Sequence, residues 1–70
     1  MSTFPTRLQE VRNERGLSRK QLADILQITT RAYQYYEEGR SEPSISRLIK
    51  LADLFMVSLD ELVGRDWIGL

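Results

Sequence analysis

The sequence predicts an all-α domain. Three observations carry that expectation: apolar residues recur at helical spacing, capping residues open each periodic stretch, and no run alternates apolar and polar residues long enough for a strand. Five helical segments follow from the punctuation. Pro5 suits a first helical turn, and Thr6-x-x-Gln9 forms a candidate capping box just after it. Leu8 and Val11 share a face, and Gly16 is the natural left-handed stop. The second segment opens on the box Ser18-x-x-Gln21 and carries Leu22, Ala23, Ile25 and Leu26 as its apolar stripe.

The third segment has Thr29 as its expected N-cap, runs through Ala32, Tyr33 and Tyr36, and ends at Gly39. Arg40-Ser41-Glu42-Pro43 reads as a polar connection. Ser44 caps a fourth helix whose stripe is Ile45, Leu48, Ile49, Leu51, Ala52, Leu54 and Phe55. Ser58-x-x-Glu61 opens a short fifth helix with Leu59, Leu62 and Val63, closed by Gly64. Leu22, Ala23, Ile28, Leu48, Leu51 and Leu62 are expected in the core. Tyr33 and Tyr36, three apart, are expected to pack inward.

Composition narrows the function. Seventy residues make one domain. Apolar residues form 41% of the chain, too many for a disordered segment. With no cysteine and no histidine, metal sites and general-base catalysis would rest on carboxylates alone. An enzyme, a metal and a cofactor are therefore not expected. Residues 1–6 lack a signal-peptide pattern, and no apolar run approaches the ~20 residues of a membrane span, so the expected location is cytoplasmic. Ten basic and ten acidic residues cancel. They are not evenly spread: residues 7–40 hold seven basic against five acidic, and the remainder three against five.

The informative spacing lies between segments two and three. Only Gln27, Ile28 and Thr29 separate Leu26 from a helix starting at Thr30. So short a connection makes the axes cross steeply and leaves the second helix of the pair standing clear of the body.

The run Leu17-Ser18-Arg19-Lys20-Gln21-Leu22-Ala23-Asp24-Ile25-Leu26-Gln27-Ile28-Thr29 resembles the helix-turn-helix family of phage repressors, Cro and Xre-type regulators. Tyr36-Glu37-Glu38-Gly39, Pro43-Ser44, Leu48-Ile49-Lys50-Leu51-Ala52 and Val57-Ser58-Leu59-Asp60-Glu61-Leu62 continue the match with agreeing spacing. The resemblance implies a five-helix domain of the lambda-repressor type over residues 1–64. It further implies sequence-specific binding of double-stranded DNA as a homodimeric transcriptional regulator, a repressor by expectation. The other reading is a protein-interaction module on the same fold, such as an antitoxin or bridging domain.

Carried over by position, the resemblance places Thr30, Arg31, Gln34 and Tyr35 on the surface that reads bases. Arg31 can fork onto guanine, Gln34 can pair with adenine, and Thr30 can hydrogen-bond or touch a thymine methyl. Tyr35 is open between a methyl contact and a phosphate. Arg19, Thr29, Arg40 and Ser41 fall where relatives touch the DNA backbone, although Glu38 and Glu42 lie beside the last pair. Arg12 and Glu37 resemble a buried ion pair that ties helix one to helix three. The chain departs from the family at Gln27, where glycine is usual in the tight turn and a non-glycine bears left-handed strain on the order of 1 kcal/mol, and at Met56, where a glycine or a polar residue is usual after helix four. Residues 65–70 lie past the match. Trp67, Ile68 and Leu70 are expected either to dock on the core or to bury against a second copy.

Overall fold

The computed structural model describes residues 4–63. It contains five helices and, among the described residues, no strand: α1 (Phe4–Glu14), α2 (Arg19–Leu26), α3 (Thr30–Glu38), α4 (Ile45–Phe55) and α5 (Leu59–Val63). Helix α1 packs on α3 and α5, α2 on α3, and α4 on α5. Between them Leu8, Leu22, Tyr33, Leu51, Phe55 and Leu62 are fully buried. Leu17, Ile28, Leu48, Val57 and Val63 pack half-buried at the rim of this core.

Helix α1 differs from the expectation at its start. It already runs through Thr6, so the Thr6–Gln9 box does not form; Gln9 instead donates its amide to the Glu37 carbonyl at 3.0 Å. The cause is Phe4, buried in the core, which anchors a helical turn ahead of Thr6. At the far end Gly16 is left-handed (φ +67°), and the Leu17 N–H reaches the Arg12 carbonyl at 3.2 Å.

Helices α2 and α3 are set by their caps. Ser18 forms its box with Gln21: the Gln21 N–H donates to Ser18 Oγ at 3.0 Å, and the Ser18 N–H to Gln21 Oε1 at 2.8 Å. Gln27 ends α2 in the left-handed conformation (φ 60°, ψ 42°), and the Ile28 N–H returns to the Ala23 carbonyl at 3.0 Å. Thr29 then starts α3 by accepting the Ala32 N–H at 3.0 Å. The bend is thus three residues long, with a left-handed stop and an extended cap.

Helix α4 opens at Ser44, and Met56 ends it in a second left-handed turn (φ 57°). The Arg15 guanidinium donates to the Phe55 carbonyl there and ties the α4 terminus back to α1. Ser58 and Glu61 form the capping box of α5. The apolar stripe of α4 is narrower than its sequence suggests. Leu48, Leu51, Ala52 and Phe55 turn inward at the i, i+3, i+4, i+7 spacing of one face, whereas Ile45, Ile49 and Leu54 lie beside that face and are exposed. Ile25 and Leu59 are likewise exposed rather than buried. Trp67, Ile68 and Leu70 lie outside the described residues.

Two non-glycine residues in left-handed turns give a stability test. Met56 is 84% exposed, so trimming it removes no packing. Met56→Gly and Gln27→Gly should each raise the urea midpoint, by roughly 0.5–1 kcal/mol of stability, because relief of side-chain crowding outweighs the added freedom of the unfolded chain. A loss at both positions would show that the turns carry no strain.

Candidate nucleic-acid interface

The bend at Gln27 decides which face of α3 is covered. Tyr33, Tyr36 and Glu37 turn inward, whereas Thr30, Arg31 and Gln34 are exposed and Tyr35 is half-buried. Tyr33 and Tyr36 meet edge to face, with centroids 6.4 Å apart and planes at 78°. Helical periodicity alone would give α3 two faces; the aromatic pair fixes which one is held in the body.

The pose of α3 rests on one buried carboxylate. Glu37 is 4% exposed and receives donors from three helices. Its Oε2 accepts Arg12 Nε of α1 at 2.6 Å and the Tyr33 hydroxyl of its own helix. Its Oε1 accepts Arg19 Nε of α2 at 2.9 Å. Arg12 continues to the Leu17 carbonyl through Nη1 at 2.9 Å, so the turn before α2 joins the same network. Among the described residues, no buried side-chain nitrogen or oxygen is left without a partner.

Burial pushes the Glu37 carboxyl up, but the hydrogen bonds from Arg12, Tyr33 and Arg19 outweigh it and hold the group below its ordinary value of 4.5. Arg12 is raised by its hydrogen bond to Glu37, against its own desolvation. Tyr33 is raised by burial and by the hydrogen bond it donates, so it stays protonated. One negative charge therefore faces two positive ones, and the cluster keeps a net positive charge. The surplus sits outward: the Arg19 side chain is half exposed, while that of Glu37 is almost wholly covered.

The outer face holds a second group of side chains. Arg31, Gln34, Tyr35, Glu38 and Arg40 line an open groove of about 250 Å³. Within it the Gln34 amide donates to Glu38 Oε2 at 2.8 Å, and Arg40 Nε pairs with Glu38 Oε1 at 3.0 Å. The Arg40 guanidinium also lies over the Tyr35 ring, 5.8 Å from its centroid. The Arg31 side chain is exposed and makes no hydrogen bond or ion pair with another described residue. Arg40 and Ser41 turn their backbone N–H groups onto the Tyr35 carbonyl, at 2.9 and 3.4 Å. Their side chains, not their amides, are what they present outward.

Three of the four residues expected to read bases therefore share the groove, and Thr30 lies exposed at the start of the same helix. Of the expected backbone contacts, Arg40 lines the groove, Ser41 follows it, Thr29 is engaged as the helix cap, and Arg19 is tethered to Glu37. Sequence reasoning missed the Tyr33 hydroxyl and the Glu38 carboxylate. Both were detectable as i, i+4 pairs, Tyr33 with Glu37 and Gln34 with Glu38, which face each other on any helix.

A capped helix, a three-residue bend and a second helix with one exposed polar face define a helix-turn-helix protein. The profile of the helix-turn-helix family matches residues 8–62, and the chain belongs to that family, in its Xre-type branch. It is similar to the HTH-type transcriptional regulator AnsR of Bacillus subtilis, 43% identical over 86% of this chain and 52% of that one. It is also similar to the cryptic phage CTXphi transcriptional repressor RstR of Vibrio cholerae, 37% identical over 84% of this chain and 53% of that one. A crystal structure of a transcriptional regulator from Listeria innocua superposes on it with a TM-score of 0.90 and 37% identity, over all of this chain and 65% of that one. The chain spans about half the length of the curated relatives it matches. These relatives are regulators, and the family is not one of enzymes.

The Glu37 network makes a signed prediction. A carboxyl held below its ordinary value stabilises the fold fully above that value and loses the contribution as pH falls through the lower folded one. Arg12→Met strands part of a buried charge and should cost about 3 kcal/mol at neutral pH. In urea titrations the gap between parent and variant should narrow as the pH drops below 4.5. A gap that stays constant with pH would place the cost in lost packing instead.

Proposed function

We propose that this domain binds double-stranded DNA sequence-specifically by laying α3 in the major groove, as a homodimeric transcriptional repressor of the cytoplasm. The observation that carries the reading is the uncovered start of α3, where Thr30, Arg31 and Gln34 are exposed and Arg31 has no competing partner among the described residues. A major groove about 12 Å wide admits a helix, and an arginine fork matches the O6 and N7 acceptors of guanine. Gln34 suits adenine, Thr30 a thymine methyl, and Tyr35 stays closer to the backbone because its ring lies under Arg40. Arg19 serves a phosphate: Glu37 holds its Nε, leaving the two terminal nitrogens to donate. Arg40 and Ser41 contact the backbone from the loop after α3. Two copies would read half-sites about 34 Å apart, and occupation of such an operator blocks transcription by occlusion.

Net neutrality supports a second reading, the same fold docked on a protein, because phosphate neutralisation supplies much of DNA affinity. The exposed opening of α3 argues against it: Thr30, Arg31 and Gln34 are polar, whereas a protein-binding surface is centred on apolar anchors.

Selection from random duplexes separates the two. It should return a two-fold-related sequence; Arg31→Ala should weaken that duplex by about 1–3 kcal/mol and relax one base position. Arg19→Ala should weaken all duplexes and lower the salt slope by about one unit. A selection that enriches no sequence would overturn the reading.

A further inference from the structure

The groove on α3 holds an acid where a phosphate-binding surface has least use for one. Glu38 is exposed, yet both of its carboxylate oxygens are engaged, each by a side chain placed on the proposed DNA face: Oε2 by the Gln34 amide and Oε1 by Arg40 Nε. Neither bond is strong. The Arg40–Glu38 pair is open to water, with the arginine side chain 70% exposed, so each contact is easily exchanged for another. Glu38 is thus a poor strut for the fold, which the buried network of Glu37 already provides.

We infer that Glu38 is a specificity-determining residue that competes with DNA phosphate for Arg40 and with base edges for Gln34. The inference rests on the DNA-binding reading above. In the free protein the carboxylate occupies the position of a phosphate toward Arg40, which stays neutralised and stacked on Tyr35. One N–H of the Gln34 amide is committed to the same group, so the amide is held toward Glu38 and must give up or share that contact to turn its other N–H and its carbonyl onto an adenine. On a matching site the exchange is even, because the Gln34 amide leaves one acceptor and gains another. On a random duplex Gln34 finds no matching edge. The Gln34–Glu38 bond persists, and a fixed negative charge stays beside the phosphates. Glu38 therefore penalises the sequence-independent, electrostatic part of binding more than the base-reading part.

The test measures binding of the full chain to a selected duplex and to a random one between about 50 and 200 mM salt. Glu38→Gln keeps the size and helix preference of the residue. It should tighten random-duplex binding by roughly threefold to tenfold at the low-salt end and steepen the salt slope by about one unit, as Arg40 is freed for one phosphate. The ratio of selected to random affinity should fall. In an Arg40→Gln background the slope gain should vanish. Unchanged random-duplex affinity and slope, or a slope gain that survives without Arg40, overturns the inference. So does a loss confined to the selected duplex, which would make Glu38 a direct base contact. A parent chain that binds no duplex sinks this inference together with the DNA-binding reading; a parent that binds while Glu38→Gln changes nothing sinks the inference alone.

Discussion

The Glu37 carboxylate is the point on which the arrangement of the first three helices depends. It is nearly buried and charged, a state that costs several kcal/mol unless the charge is paired and hydrogen-bonded. Arg12 supplies one from α1, Arg19 one from α2 and Tyr33 one from within α3. Apolar packing would tolerate small rotations of α3 about its own axis, because dispersion and burial have little directionality. A carboxylate with three directed donors does not. The network thus converts a generic amphipathic helix into one whose exposed face has a fixed orientation.

Local chemistry then sets where that helix begins. A left-handed Gln27 stops α2, and an extended Thr29 starts α3, so the bend needs only three residues and keeps Ile28 half-buried at its inside corner. The Ile28 N–H is satisfied by the Ala23 carbonyl and the Ala32 N–H by the Thr29 hydroxyl. With those backbone donors already satisfied, the inner side of this tight corner can pack against the core without burying an unpaired group. The consequence for function is exposure of the first turn of α3 beside the start of α2, the two places from which a helix-turn-helix reaches bases and phosphates.

Much of this was legible in the sequence because it is encoded by local rules. Ser18, Thr29, Ser44 and Ser58 mark four helix starts, Gly39 one stop, and the spacing of Leu48, Leu51, Ala52 and Phe55 one inward face. What failed was non-local. Phe4 is absent from the core that the sequence predicts, since nothing nearby in the chain shows that the core has room for its ring. Ile45, Ile49 and Leu54 belong to the apolar stripe that the sequence predicts for α4 yet lie outside its buried face, since periodicity cannot tell how wide a face the neighbouring helices cover. In the site, the exposed positions of α3 and the pairing of Arg12 with Glu37 follow from the family pattern. The attachment of Arg19 to the same carboxylate does not, nor does the pairing of Glu38 with Arg40, because each is a choice among several charged partners that only three-dimensional proximity makes.

The proposed docking sets the α3 surface carrying Thr30, Arg31 and Gln34 in the major groove. Methylation interference on a selected duplex addresses it directly, because guanine N7 lies in the major groove and adenine N3 in the minor. Methylation of guanine N7 within each half-site should abolish binding, while methylation of adenine N3 at the same base steps should leave it intact. Binding indifferent to N7 methylation, or lost only with N3 methylation, would contradict the docking of α3.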